Sequence, residues 1–367
     1  MKRRKFIGAL GAGAAVAGLS ACGSKPEDCT TAVSSGHSGK KIKWTMVTTW
    51  PKNFAGVGEG AEYLAQLINQ MSGGRMEVKV YGAGELVPAL QVFESVASGA
   101  AHMGHGASYY WKGKLSMAPF FAAVPFGLNA QEMNGWLLHG GGLELWRELY
   151  ERFNLIPEPA GNTGVQMAGW FNKAINSLED IKGLKMRIPG LGGEVWKRAG
   201  GIPVLMPGSE VFTSLETGAI DAAEWVGPYN DLAFGLFKAA KYYYYPGWHE
   251  PGTTLEALIN KKAFQALPED LQQVVTQACR TANADMLADF TAKNNAALNT
   301  LVTKHNVELR KLPDDVLQEL ASISEGMLQE QVKTDLDQRI LDSFKTFRDQ
   351  ARQWHKVSEH SYYNARS

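Results

Sequence analysis

From Lys41 to Ala107 the chain spells strand, helix, strand, helix, strand, and that order leaves few folds open. In "KIKWTMVTTW", Ile42, Trp44 and Met46 recur at every second position, the spacing of one face of a strand. "EGAEYLAQLINQMSGG" follows with Ala61, Leu64, Leu67, Ile68 and Met71 at helical spacing, closed by two glycines. "RMEVKVYG" alternates again through Met76, Val78 and Val80. "ALQVFESVASGAAHMGHGA" then reads as a helix and a short strand. This succession builds a parallel α/β sheet with right-handed crossovers.

The middle of the chain repeats the theme. "NTGVQMAGWF", "KMRIPG", "PVLM" and "IDAAEWV" read as strands, with "LGGEVWKRAGG" and "SEVFTSLETGA" as helices between them. Beyond Pro268 the pattern is mostly helical, broken at "NVELRKLPDD". A chain of this length exceeds what one core supports, so two lobes are expected. We place the first at 41–165 and 251–300, the second at 166–250 and 301–330, and a helical segment at 331–367. Two α/β lobes joined by bridging helices form a clamshell, with a ligand between the lobes.

The start of the chain sets the compartment. "MKRRKFIGALGAGAAVAGLSAC" has four cations, Lys2 to Lys5, then an apolar run too short to span a bilayer, so 1–21 reads as a signal peptide. Arg3 and Arg4 before Phe6 and Ile7 look like the twin-arginine export signature, and "LSAC" looks like a lipobox ending at Cys22. Two outcomes stay open: acylation of Cys22, which tethers the protein, or plain cleavage near Ala21. Residues 22–40 read as a flexible linker. The whole chain carries 37 Lys+Arg and 37 Asp+Glu; without the leader's four cations the balance is 33 against 37. A net charge of −4 argues against nucleic acid as a partner. The remaining cysteines, Cys29 and Cys279, imply no disulfide framework.

Two charged residues sit where charge is expensive. Arg187 lies in "KMRIPG" and Glu224 in "AIDAAEWVGP", each flanked by apolar residues. Arg187 is suited either to an internal Arg–carboxylate pair or to a two-pronged grip on a ligand carboxylate. Glu224 is open to protonation, to pairing with Arg187, or to a bound cation.

The stretch "KMRIPGLGGEVWKRAGGIPVLMPGSEVFTSLETGAIDAAEWVGP" resembles the signature of the DctP-type solute-binding proteins of TRAP transporters, above all their 2-oxo acid and lactate subgroup. The similarity runs from about Lys41 to the C-terminus. It implies a two-lobed periplasmic binding protein that hands an organic acid to membrane permease subunits. It also implies that Arg187 grips the substrate carboxylate. Glu224 would hold a metal through its side chain, Trp225 through its backbone carbonyl, and Gln166 of "NTGVQMAGWF" through its amide oxygen. Oxygen donors of this kind suit Na⁺ or Ca²⁺. A 2-oxo acid (pyruvate-like) or a 2-hydroxy acid (lactate-like) adds two oxygens and completes a chelate.

Other candidates are less constrained. Tyr110 of "ASYYWKGK" either hydrogen-bonds the substrate or packs as an aromatic. His249 of "YYYYPGWHEPG" either reaches the ligand or is a structural hydrogen-bonder. His102 and His105 have metal-like spacing without further ligands and read as structural. The last segment, with Leu328, Val332, Leu336, Ile340 and Phe344 on one stripe, suggests a long helix exchanged across a homodimer. The other outcome is a helix folded back on its own protomer. Two rival functions remain: an exported metal-dependent enzyme acting on 2-oxo acids, and a receptor feeding a sensor kinase. No Gly-x-Ser-x-Gly elbow or Cys/His cluster favours the enzyme.

Overall fold

The computed structural model describes residues 40–366. The leader, Cys22, Cys29 and all but the last residue of the linker lie outside the described residues. Eleven strands among those residues form two sheets. The first contains β1 (Ile42–Thr48), β2 (Met76–Tyr81), β3 (Met103–Gly106), β4 (Leu155–Asn162) and β10 (Thr254–Asn260), in the order β2-β1-β3-β10-β4. β1 pairs in parallel with β2 and β3, and β10 runs antiparallel between β3 and β4. The second contains β5 (Gly169–Phe171), β6 (Lys185–Arg187), β7 (Ile202–Val204), β8 (Ala222–Ala223), β9 (Tyr242–Tyr245) and β11 (Glu308–Lys311), in the order β11-β9-β5-β8-β6-β7. All seven residues of β10 are buried, as a strand covered on both faces must be.

The chain passes between the sheets three times. Residues 163–168 lead from β4 to β5, and residues 246–253 lead from β9 back to β10. The third passage is the 37-residue helix Glu269–His305, long enough at ~1.5 Å per residue to reach from one sheet to β11 of the other. Among the described residues, no helix is long and apolar enough to cross a membrane.

Three sequence readings are corrected. "NTGVQMAGWF" is not one strand: β4 ends at Asn162 and β5 starts at Gly169, because the stretch between them is a crossover. Gly169 sits at φ 121°, and a Cβ there would lie 2.7 Å from the Ala223 carbonyl oxygen, so only glycine lets β5 meet β8. Met71, the last residue of its helix, is 43% exposed and stands outside the buried face formed by Ala61, Leu64, Leu67 and Ile68.

The C-terminal stripe is not continuous either. A 3₁₀ turn at Gln329–Gln331 interrupts it, and a new helix, Asp335–Val357, starts at a Thr334 cap whose side chain accepts the Asp337 N–H. Ile340, Leu341 and Phe344 then pack into their own protomer, Phe344 against Phe120 and Trp136. Each such side chain contributes about 1.5–3 kcal/mol by burial, so this half of the helix belongs to its own core. The outer half leaves Trp354 and Val357 exposed, and the last helix, Glu359–Arg366, exposes Tyr362 and Tyr363.

Candidate functional site

β6 and β8 are parallel neighbours with Arg187 opposite Ala223, so Arg187 and Glu224 emerge side by side at the carboxyl ends of their strands. The Glu224 N–H donates to the Arg187 carbonyl at 3.1 Å, carrying the ladder one residue past β8. Both side chains are buried: Arg187 is 1% exposed and Glu224 is 0%. The Arg187 Nη1 group donates to Glu224 Oε1, and its Nη2 donates to Tyr110 Oη at 3.3 Å. Its guanidinium lies 5.2 Å from the Trp225 ring. The internal Arg–Glu pair, one of the two sequence alternatives for Arg187, is therefore present.

Tyr110 comes from the other sheet, in the 3₁₀ turn Ser108–Trp111 that follows β3. Gln166 stands on the first crossover, and His249 and Glu250 stand on the second. These crossovers touch: the Gln166 N–H donates to the Glu250 carbonyl at 3.1 Å. A Cβ on Gly247 would lie 2.2 Å from the Gln166 carbonyl oxygen, so a glycine is required at that approach. The structure thus gathers Tyr110, Gln166, Arg187, Glu224, Trp225 and His249 at one place between the sheets. His102 and His105 lie elsewhere. His105 accepts the Trp50 indole N–H at 2.8 Å, and His102 accepts the Thr45 N–H at 3.1 Å.

The polar atoms are unevenly satisfied. Gln166 Nε2 faces three acceptors, Glu250 Oε2 at 2.9 Å, Thr163 Oγ1 at 3.1 Å and Thr253 Oγ1 at 3.2 Å. That network fixes the amide orientation and leaves Oε1 buried without a partner. Arg187 Nε and His249 Nδ1 are also buried and unpartnered. Each such atom costs about 1–3 kcal/mol if nothing meets it. Three in one cluster mark a place built to bind.

Charge tells the same story. Glu224, His249 and Glu250 bring ligand atoms within 4.8 Å of one another, with His249 Nε2 3.3 Å from Glu224 Oε2. Burial, and then the charge of Glu224, push the Glu250 carboxyl up to about 7. Burial opposes the Arg187 charge, but Glu224 and the nearby tyrosines outweigh it and hold the guanidinium above its ordinary value. Two buried carboxylates against one guanidinium leave an excess of negative charge when both ionise. A hard cation offsets such an excess, and the free amide oxygen with two carboxylates is the donor set it prefers.

Sequence reasoning missed Glu250 and Thr253. The only local signal was a carboxylate next to the candidate His249. A narrow crevice adjoins the cluster, lined by Trp50, Val57, Tyr110, Gln166, Trp225 and Leu255 among others. A larger surface groove between 144–158 and 261–280 shares none of these residues.

Residues 46–335 match the model of a family described as DctP, bacterial extracellular solute-binding protein family 7. A monocarboxylate 2-oxoacid-binding periplasmic protein of Nostoc sp. is 42% identical over 365 residues, covering 99% of this chain and 98% of that protein. A TRAP periplasmic solute-binding protein of Colwellia psychrerythraea, solved with calcium and pyruvate, superposes with a TM-score of 0.86 at 41% identity, covering 89% of this chain and 100% of that one. The corresponding protein of Pseudoalteromonas atlantica, solved with sodium and pyruvate, gives 0.86 at 43% identity, covering 89% and 99%.

Proposed function

The chain belongs to family 7 of the bacterial extracellular solute-binding proteins, the DctP family, and on that footing we propose that its cleft captures a small 2-oxo acid or the matching 2-hydroxy acid together with a sodium or calcium ion. It is a solute-binding protein of the TRAP type and not an enzyme. Pyruvate is the model ligand. The observation that carries the reading is the buried, unpartnered Oε1 of Gln166, whose Nε2 meets the Glu250 carboxylate that clusters with Glu224 and His249.

Gln166 Oε1, a Glu224 carboxylate oxygen and the Trp225 carbonyl would hold the cation, with Glu250 as a further oxygen donor. When bound, the cation supplies a positive centre that the carboxylate and keto (or hydroxyl) oxygens of the acid can share. Arg187 grips the acid's carboxylate through its fork, using the Nε–H that has no internal partner. The Tyr110 hydroxyl and His249 Nδ1 offer further hydrogen bonds. Val57, Leu255 and Trp50 line the crevice with apolar surface suited to a short carbon chain. Among the described residues, Arg187 is the one guanidinium in this cluster, which disfavours a C4-dicarboxylate.

Closure follows if 41–165 with 251–300 and 166–250 with 301–330 move as two lobes about the crossovers. Inverting a strongly open-biased equilibrium takes roughly 5 kcal/mol of preference for the closed form. An Arg–carboxylate grip with a shared cation is of that order. We further propose export by the twin-arginine route, acylation at Cys22, delivery to TRAP permease membrane subunits, and a homodimer formed through the exposed Trp354, Val357, Tyr362 and Tyr363. Sedimentation as a monomer at micromolar concentration would remove the dimer.

Calorimetry with pyruvate, 2-oxobutyrate, lactate and succinate tests the central reading. Binding of the first three and not of succinate is expected. No binding by any 2-oxo or 2-hydroxy acid, with sodium or calcium present, overturns it.

A further inference from the structure

The turn that carries Glu224 and Trp225 is held from behind by the helix Pro228–Phe234. Asp231 Oδ1 accepts the Val226 N–H at 3.2 Å, and its Oδ2 accepts from Trp170 Nε1 at 2.9 Å and Tyr243 Oη at 2.8 Å. Those bonds pin the turn to its own sheet. Asn230, 0% exposed, faces two ways. Its Oδ1 accepts the Trp225 indole N–H, and its Nδ2 donates at 2.5 Å to the carbonyl of Ala55, in the segment that follows β1 of the other sheet. An indole N–H only donates and a carbonyl only accepts, so both bonds form in one amide orientation alone.

Neighbouring contacts converge on the same crossing. Phe54 sets its edge against Trp225 at 6.1 Å and packs on Phe234 at 5.3 Å. Tyr229 Oη donates to Glu59 Oε2 at 3.0 Å, and the same oxygen accepts the Gly56 N–H at 3.1 Å. Residues 54–59 are thus seated on the helix that supports the site.

We propose that Asn230 is the closure latch of this protein, passing the order of the Glu224–Trp225 turn to residues 54–59 and holding the cleft shut. The inference rests on the reading of the cleft as an acid-binding site. Fixing the Trp225 backbone fixes its indole, the indole sets the Asn230 amide, and the amide presents its N–H to Ala55. Closure then depends on the turn being set, and a disordered turn releases the latch.

Asn230→Asp tests this directly, since it keeps the acceptor for Trp225 and removes the donor to Ala55. Pyruvate dissociation, read by stopped-flow tryptophan fluorescence with calcium present, should quicken about tenfold, the effect of one hydrogen bond of about 1.4 kcal/mol. Hydrogen exchange of residues 54–60, read without added acid, should rise several-fold while residues 42–48 stay unchanged. Unaltered dissociation and unaltered exchange in a folded Asn230→Asp protein overturn the latch. Should that variant unfold, Phe54→Ala, on the facing segment, must give both effects, and its failure to do so overturns the latch equally. Failure of the unsubstituted protein to bind pyruvate overturns the ligand reading instead, and the exchange comparison still decides the latch.

Discussion

Glu224 and Glu256 are both buried carboxylates with 0% exposure, yet their surroundings differ in kind. Glu256 stands on β10, inside the first sheet, where it receives the Trp111 indole N–H at 2.5 Å and the Tyr150 hydroxyl at 3.0 Å. Both donors are neutral, and burial pushes its carboxyl up to about 8. Glu224 lies between the sheets against a guanidinium and an imidazole, beside a second carboxylate that holds the Gln166 amide by its nitrogen and leaves that amide's oxygen unmet. A buried acid closed off by neutral donors finishes a core. One placed among charges and unmatched polar atoms prepares a site. Burial alone distinguishes nothing; the partners do.

The contrast can be broken first at Arg187. Arg187→Met leaves two buried carboxylates unopposed, and removing one partner of such a pair costs about 2–5 kcal/mol, so calorimetry should show pyruvate binding weakened by at least about 30-fold. Gln166→Leu comes next. It removes the free amide oxygen, and calcium or sodium affinity should fall by at least about tenfold, no less than for loss of a supporting ligand partner.

Glu256→Gln sharpens the other side of the comparison. Pyruvate affinity should be unchanged, whereas the pH dependence of stability should flatten. Because the folded-state pKa is raised, the folded protein holds the extra proton between about 4.5 and about 8, so stability is full below that window and falls as pH rises through it. Urea unfolding across the window should show that slope in the native protein and less of it in the variant. The smallest effect is expected at Lys112→Ala, which removes a partly exposed pair with Glu194 at 3.3 Å and should shift stability by no more than about 1 kcal/mol.

Much of this was legible along the chain. The strands around Arg187 and Glu224 announced themselves because a charge in an apolar run must find a partner, and β6 and β8 supply the register that joins the two. Glu250 gave no such signal: "WHEPG" reads as a polar bend, and its burial comes from two crossovers that meet only in the fold. Gln166 was placed in a strand because apolar alternation ran on through a crossover, and no local pattern marks where a sheet is exchanged. The break in the C-terminal stripe, by contrast, was written in "TDLD", where Thr334 and Asp337 have the spacing of a helix start.

If a cation at Glu224 and Gln166 couples the protein to its acid, removing the ion must remove the binding. Titrating pyruvate into chelator-treated protein, before and after restoring calcium or sodium, tests it most directly. Weak or absent heat is expected before restoration, and tight one-to-one binding after it. Equal affinity with and without either ion would contradict it.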